Sequence, residues 1–382
     1  MEYRRLGKSG LEVSALSLGA EHLEHADLAT TREVVELAMD HGINYVDLFM
    51  ATPDVRDHFG TVLQGKRERM HIAGHLGSAL TDDGQYTPTR ERQRAKDHFF
   101  DLLRRLHTDY VDVLFLHYVD EMEDLDNHIL APGGLLELAQ ELRQQGHARA
   151  IAMSSHTVPP ALKIVKTGAL DALMFPVNPA FDRMRGDENL GDVFDQGPNA
   201  LIESHGAAHD RRELFLTCQE QQVGVVAMKP YGGGMLLSPD RNPGLPLTPV
   251  QCLHYALSQP GVSCVVPGCR NRQEMEAALA YLTASDADKD YAQVVASYRH
   301  SAAGACTYCN HCLPCPAGID IAAIHQLYHE ALYVDKAVAL EAYGRLEHVA
   351  SDCIACGQCA QRCPFQVDVV ANMEACARLL EQ

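Results

Sequence analysis

"VDVLFLH" occupies residues 111–117. Its apolar residues run almost without a break, where a half-exposed strand would alternate. That pattern suits a parallel strand covered on both faces. The run ends in His117, a polar side chain placed where a covered strand gives way to its loop. Seven further segments share the character: "VSALSLG" (13–19), "INYVDL" (43–48), "MHIAGH" (70–75), "ARAIAMS" (148–154), "LDALMFPV" (170–177), "VGVVAM" (223–228) and "GVSCVVP" (261–267). Helical patterns lie between them. "TTREVVELAMDHG" (30–42) has a threonine to cap it and Gly42 to close it, and "TPVQCLHYALSQPG" (248–261) has Thr248 as cap, Pro249 in the first turn and Pro260 as stop. Eight strand–helix pairs predict a (β/α)₈ TIM barrel of about 250 residues. The alternative is an open doubly wound sheet, but no G-x-G-x-x-G follows any strand.

The chain has 382 residues, 46% hydrophobic and 22% charged, with a net charge of −19. Such an acid excess disfavours nucleic acid and anionic membrane surfaces as partners. "MEYRRLGKSG" is followed by no apolar stretch, and no run of eighteen apolar residues occurs, so a cytoplasmic location is expected. The segment 178–213 reads as a long connection after the sixth strand, and "YLTASDADKDYAQVVASY" (281–298) reads as helix. We place the barrel in residues 1–290 and a small, mainly helical module in 291–382.

Eight of the thirteen cysteines stand in two runs, "CTYCNHCLPCP" (306–316) and "CIACGQCAQRCP" (353–364). Thiolates at every third position, save for the x₃ gap before Cys363, with a proline after the fourth, match the two-cluster [4Fe–4S] pattern, in which each run lends its last cysteine to the other cluster. Cys306, Cys309, Cys312 and Cys363 are therefore expected on one cluster, and Cys353, Cys356, Cys359 and Cys315 on the other. A structural zinc site would draw its pairs from separate turns. The intervening residues 317–352 are rich in helix formers. Cys218, Cys252, Cys264, Cys269 and Cys376 read as small buried hydrophobes.

In a barrel of this kind, chemistry sits at the C-terminal ends of the strands. Those ends carry Glu21, His22, Asp47, His75, His117, His156, Asn178, Lys229 and Tyr231. Together with "YRRLGKSGLEVSALSLG", "GINYVD" and "TDYVDVLFLH", they resemble the aldo/keto reductase family, and "KPYGGG" and "PGCRN" resemble its branch with a two-cluster ferredoxin extension. The resemblance implies carbonyl reduction by NADPH with an Asp, Tyr, Lys and His site. Asp47 and His117 match two of these, but Thr52 stands at the tyrosine position and His75 at the lysine position. A threonine hydroxyl is no acid near neutral pH. The nicotinamide contacts fall on Met228, Met174 and Ser154-Ser155, and the phosphate contacts on Gly268-Cys269, Glu274, Ala277 and Ala278.

The expectation is thus an iron–sulfur oxidoreductase. Electrons pass through two [4Fe–4S] clusters, and protons through Asp47, His75 and His117, to or from a small molecule with a carbonyl or conjugated double bond. Contacts to that substrate are expected from His22, Thr52, His156, Asn178 and Tyr231. Any phosphate of NADP(H) falls to Lys229, Gly232, Gly233, Arg270 and Arg272. A flavin, or a divalent metal held by the histidines with Asp47, stays open. The expected partners are that substrate and an electron donor or acceptor protein. The alternatives are a metal-dependent lyase or hydrolase, and a silent electron-transfer protein with structural clusters.

Overall fold

The computed structural model describes residues 1–183, 208–240, 245–296, 304 and 306–381. The expected connection 178–213 therefore lies largely outside the described residues. Twelve strands are described: β1 (Tyr3–Arg5), β2 (Glu12–Ser14), β3 (Leu18–Gly19), β4 (Tyr45–Leu48), β5 (His71–Leu76), β6 (Ser78–Leu80), β7 (Tyr86–Pro88), β8 (Val111–Leu116), β9 (Ala148–Ser154), β10 (Ala172–Pro176), β11 (Gly224–Met228) and β12 (Val262–Val265). Eight form one parallel sheet in the order β12-β11-β10-β9-β8-β5-β4-β3. Parallel bridges Leu16–Val265 and Gly19–Gly268 close it into a barrel.

"VSALSLG" is not one strand. Its first residues pair with β1 in an antiparallel hairpin, and only Leu18–Gly19 joins the barrel. The hairpin seals the N-terminal end. Leu6 and Val13 join Tyr45, Ala73, Val113, Phe115, Ala152 and Val226 inside the barrel, and Arg4 donates to the carbonyls of Leu257 and Val262, both at 3.0 Å. Gly7 lies so close to the strand ends that a Cβ would stand 2.4 Å from the Asp171 carbonyl. A second, larger core fills the layer between strands and helices and carries the hydrophobic stabilisation of the fold.

The first long helix is Leu28–Asp40, and Asp27 caps it, accepting from the Thr30 amide at 2.8 Å. The helix Pro249–Leu257 starts as expected, with a reciprocal capping box between Thr248 and Gln251. Residues 281–298 are not one helix. Ser285 forms a new capping box with Asp288, and short helices Asp286–Lys289 and Ala292–Ala296 follow; residues 297–298 lie outside the described set. The second unexpected element is the β6–β7 hairpin, which follows β5 directly.

The cysteine-bearing region is helical, with Ile321–Tyr333, Lys336–Tyr343, Gln358–Arg362 and Val369–Leu380. It docks on the barrel helix Ala208–Glu220. Arg212 of that helix donates to the Cys306 carbonyl at 2.7 Å, and Gln326 donates to Gln219 at 3.0 Å. No helix among the described residues is long and apolar enough to cross a membrane.

Candidate functional site

Strand pairing brings the expected catalytic residues together. Asp47 and His75 are the penultimate residues of β4 and β5, His117 directly follows β8, and these three strands are neighbours. Asp47 Oδ1 lies 2.9 Å from His75 Nε2. His75 Nδ1 lies 2.8 Å from His117 Nδ1. The three residues are buried, at 6%, 3% and 5% exposure, beneath an aromatic wall. Phe115 stacks on His75 at 4.8 Å and Phe49 on His117 at 5.5 Å. Burial, followed by the neighbouring His75, drives the His117 pKa well below the usual histidine value.

A fourth member was not among the expected residues. Tyr86, at the start of β7, places its hydroxyl in hydrogen-bond contact with His117 Nε2. The sequence around it, "DDGQYTPT", is a polar turn with no periodicity to signal a site. Arg90, just beyond the hairpin, holds the arrangement. It makes a two-pronged pair with Asp124, its closest contact 2.6 Å, and donates to the carbonyls of His117 at 3.0 Å and Tyr118 at 2.7 Å. Burial pushes the Tyr86 phenol upward, so it holds its proton at neutral pH.

The expected substrate contacts are mostly engaged elsewhere. Thr52 hydrogen-bonds Glu24. His156 donates from Nδ1 to Asp120 at 3.0 Å, and its backbone amide donates to the same carboxylate. Asn178 is fully buried and gives its side chain to the Lys229 carbonyl and to the amides of Ala180 and Phe181. His22 packs over Gly268, where its ring would meet any Cβ. Tyr231 is part-buried against the larger core. Among the described residues no three histidine, cysteine or acidic side chains converge on a single-ion site. The ring nitrogens of His75 and both those of His117 are taken up in the chain from Asp47 to Tyr86.

The opposite side of the mouth was expected to hold phosphate. Lys229, Gly232 and Gly233 all have positive φ, so the backbone turns sharply there. The two arginines, however, are already paired. Arg270 gives both its backbone amide and its guanidinium Nε to Glu274, each at 2.8 Å. Arg272 pairs with Glu276 at 2.8 Å and approaches Glu33 at 3.6 Å. Asn271 caps the helix Arg272–Leu279, so the amide of Glu274 is satisfied as well. Both arginines expected on a phosphate thus already carry carboxylate partners, which weakens the fit to the nucleotide that the resemblance implied.

The cysteines fall into two groups. Cys306, Cys309, Cys312 and Cys363 line one cavity of about 340 Å³, with His325 and Phe365 beside them. Cys315, Cys353, Cys356 and Cys359 line a second of about 350 Å³. Four thiols around each cavity are the donor chemistry that a four-iron cube requires. Cys309 also shares a larger cavity with Tyr291. The Tyr291 ring meets Tyr255 edge-on at 5.1 Å, and Tyr255 donates to Asp182 at 2.9 Å. The amide of Asp182 donates to the Asn178 carbonyl at 3.0 Å, in the loop after β10.

Comparison with known proteins agrees with this architecture. The aldo/keto reductase family matches residues 15–249, and a 4Fe-4S dicluster domain matches residues 305–368. L-glyceraldehyde 3-phosphate reductase of Escherichia coli K12 is 30% identical over 249 residues, covering 62% of this chain and 63% of the relative. The O157:H7 counterpart is 27% identical over the same shares. The chain thus spans 63% of the length of these relatives. An aldo-keto reductase structure from Bacillus halodurans superposes with a TM-score of 0.58 at 23% identity, over 75% of this chain and 92% of its own. With the family match extending over more than half of its length, the chain belongs to the aldo/keto reductase family and carries a 4Fe-4S dicluster domain at its C-terminal side.

Proposed function

We propose that this protein reduces, or in reverse oxidises, a small carbonyl compound or its conjugated analogue, with electrons exchanged through the cysteine module and protons through Asp47, His75 and His117. The observation that carries this reading is the buried chain from Asp47 to His75 to His117, in a reductase barrel joined to a dicluster domain. In this reading Cys306, Cys309, Cys312 and Cys363 hold one cluster, and Cys315, Cys353, Cys356 and Cys359 the other. Bound there, the clusters supply single electrons, and two in series match a two-electron reduction.

The protein's own part is proton management. A carboxylate only accepts, so Asp47 fixes Nε2–H of His75 toward itself. That orients Nδ1 of His75 at His117 and keeps the pair aligned. Phe49 and Phe115 keep water away from the rings. The small substrate follows from the family. A phosphorylated aldehyde, as named for the E. coli relatives, is one candidate. The paired state of Arg270 and Arg272 argues against nicotinamide as the usual electron source. A low-potential carrier protein in the cytoplasm, where thiols stay reduced, is the partner this implies.

The test is anaerobic. Protein reduced with dithionite is mixed with glyceraldehyde 3-phosphate, methylglyoxal or acrolein, and the cluster absorbance is followed. Reoxidation that depends on one of these compounds supports the reading. Reduced protein indifferent to the whole panel, alongside NADPH-driven turnover of the same compounds, overturns it.

A further inference from the structure

We propose that Tyr86 is the residue that hands the proton to the substrate oxygen, doing from the β6–β7 hairpin what a tyrosine at position 52 does by family resemblance. The inference rests on the functional reading above and adds its terminal acid. Its grounds are geometric. The Tyr86 hydroxyl meets His117 Nε2 at the open end of the buried chain, and its ring spans from that contact to the surface at 44% exposure. Phe49 packs edge-on to the ring at 6.1 Å. Tyr86 is the exposed member of the chain, whereas both histidines are buried.

The chain has two hydrogen-bond polarities that differ by one proton. In the first, His75 is doubly protonated beside Asp47, so that its Nε2–H points to the carboxylate and its Nδ1–H to His117. His117 then donates from Nε2 to the Tyr86 oxygen, and the phenolic O–H is free to face the substrate. In the second, Tyr86 donates to His117 Nε2, His117 donates from Nδ1 to His75, and His75 donates to Asp47. Passing from first to second moves one proton outward. The O–H bond of Tyr86 breaks toward the substrate oxygen while a new one forms with the proton of His117 Nε2. His117 is made whole by the Nδ1 proton of His75. No phenolate accumulates, so the upward push that burial gives the Tyr86 phenol does not block the step.

Reduction of a carbonyl to an alcohol takes two electrons and two protons. The electrons come from a one-electron carrier protein of ferredoxin or flavodoxin type. One proton reaches oxygen from Tyr86. The second forms the C–H bond, supplied from solvent as the chain reloads. Arg90, Asp120, His156, Tyr118 and Glu21 are the other charged or titratable groups facing Tyr86 and His117. None of them extends the chain.

The experiment compares Tyr86→Phe with Asp47→Asn and His75→Gln in anaerobically prepared holoprotein, using whichever panel aldehyde the wild type consumes. Cluster absorbance and melting temperature report integrity. Side-chain nitrogen NMR of the histidines provides a readout independent of turnover. We expect Tyr86→Phe to lower turnover about a hundredfold or more, with KM within about threefold, and to shift the Nε2 resonance of His117. Retained turnover in Tyr86→Phe with loss in His75→Gln overturns the proposal and leaves the functional reading standing. Faster turnover also overturns it, and makes the hydroxyl an occupant of the substrate oxygen's place. Full turnover in all three variants overturns both.

Discussion

The two sides of the barrel mouth have been treated differently. On the side of β4, β5 and β8, polar groups reach one another and form a buried chain from Asp47 to Tyr86. On the side of β11 and β12, Arg270 and Arg272 pair with the acids four residues onward, and Arg272 also approaches Glu33. One side holds hydrogen-bonding groups in a line. On the other, both arginines already have acidic partners. The cysteine module docks on the helix Ala208–Glu220, which leads into β11, and Tyr291 and Tyr255 bridge from it to the loop after β10.

The comparison breaks most readily at His75. His75→Gln removes the only link between Asp47 and His117, and turnover on the consumed aldehyde should fall between about a hundredfold and ten-thousandfold. Cluster absorbance should be unchanged. The module is probed by Cys306→Ser, which should lower bound iron from about eight to about four atoms per chain, as measured by metal analysis of anaerobic protein.

The buried histidines set the acid limb of stability. His117 titrates below the usual histidine value because it is desolvated, as do His98, His254 and His325. A depressed folded pKa means the unfolded chain binds more protons near pH 6. Stability is therefore fully present above the unfolded value of about 6.5 and is lost as pH falls from there toward the depressed folded value, by up to about 1.4 kcal/mol per pH unit for the fully buried His117 and by less for the partly exposed His98 and His254. His117→Gln should flatten that slope in denaturant melts between about pH 6.5 and pH 5. The smallest effect expected is on the opposite side. Glu274→Gln frees the Arg270 guanidinium and should tighten NADPH binding by about two- to fivefold, read by titration of fluorescence.

Much of this was legible in the chain. β9 coincides with "ARAIAMS" because a strand covered on both faces must be apolar throughout. The spacing of the cysteines foretold the two groups that share a cavity. The N-terminal strand was misread because an apolar run does not reveal that its first half turns to pair with β1. The helix expected over 281–298 failed because propensity is blind to Ser285 restarting the chain with its own cap. Thr52 reads as a site residue by position, yet its hydroxyl is spent on Glu24. Tyr86 was hidden for the opposite reason. Its hairpin has no pattern, and only the fold brings it across 31 residues to His117.

The most direct measurement is rapid mixing of dithionite-reduced protein with the consumed aldehyde, in the absence of nicotinamide, for the wild type and His75→Gln. The account predicts that the clusters of the wild type reoxidise while those of the variant, equally reduced and equally loaded with iron, stay reduced. Equal reoxidation in both would contradict it, because electrons would then reach the aldehyde without the proton chain.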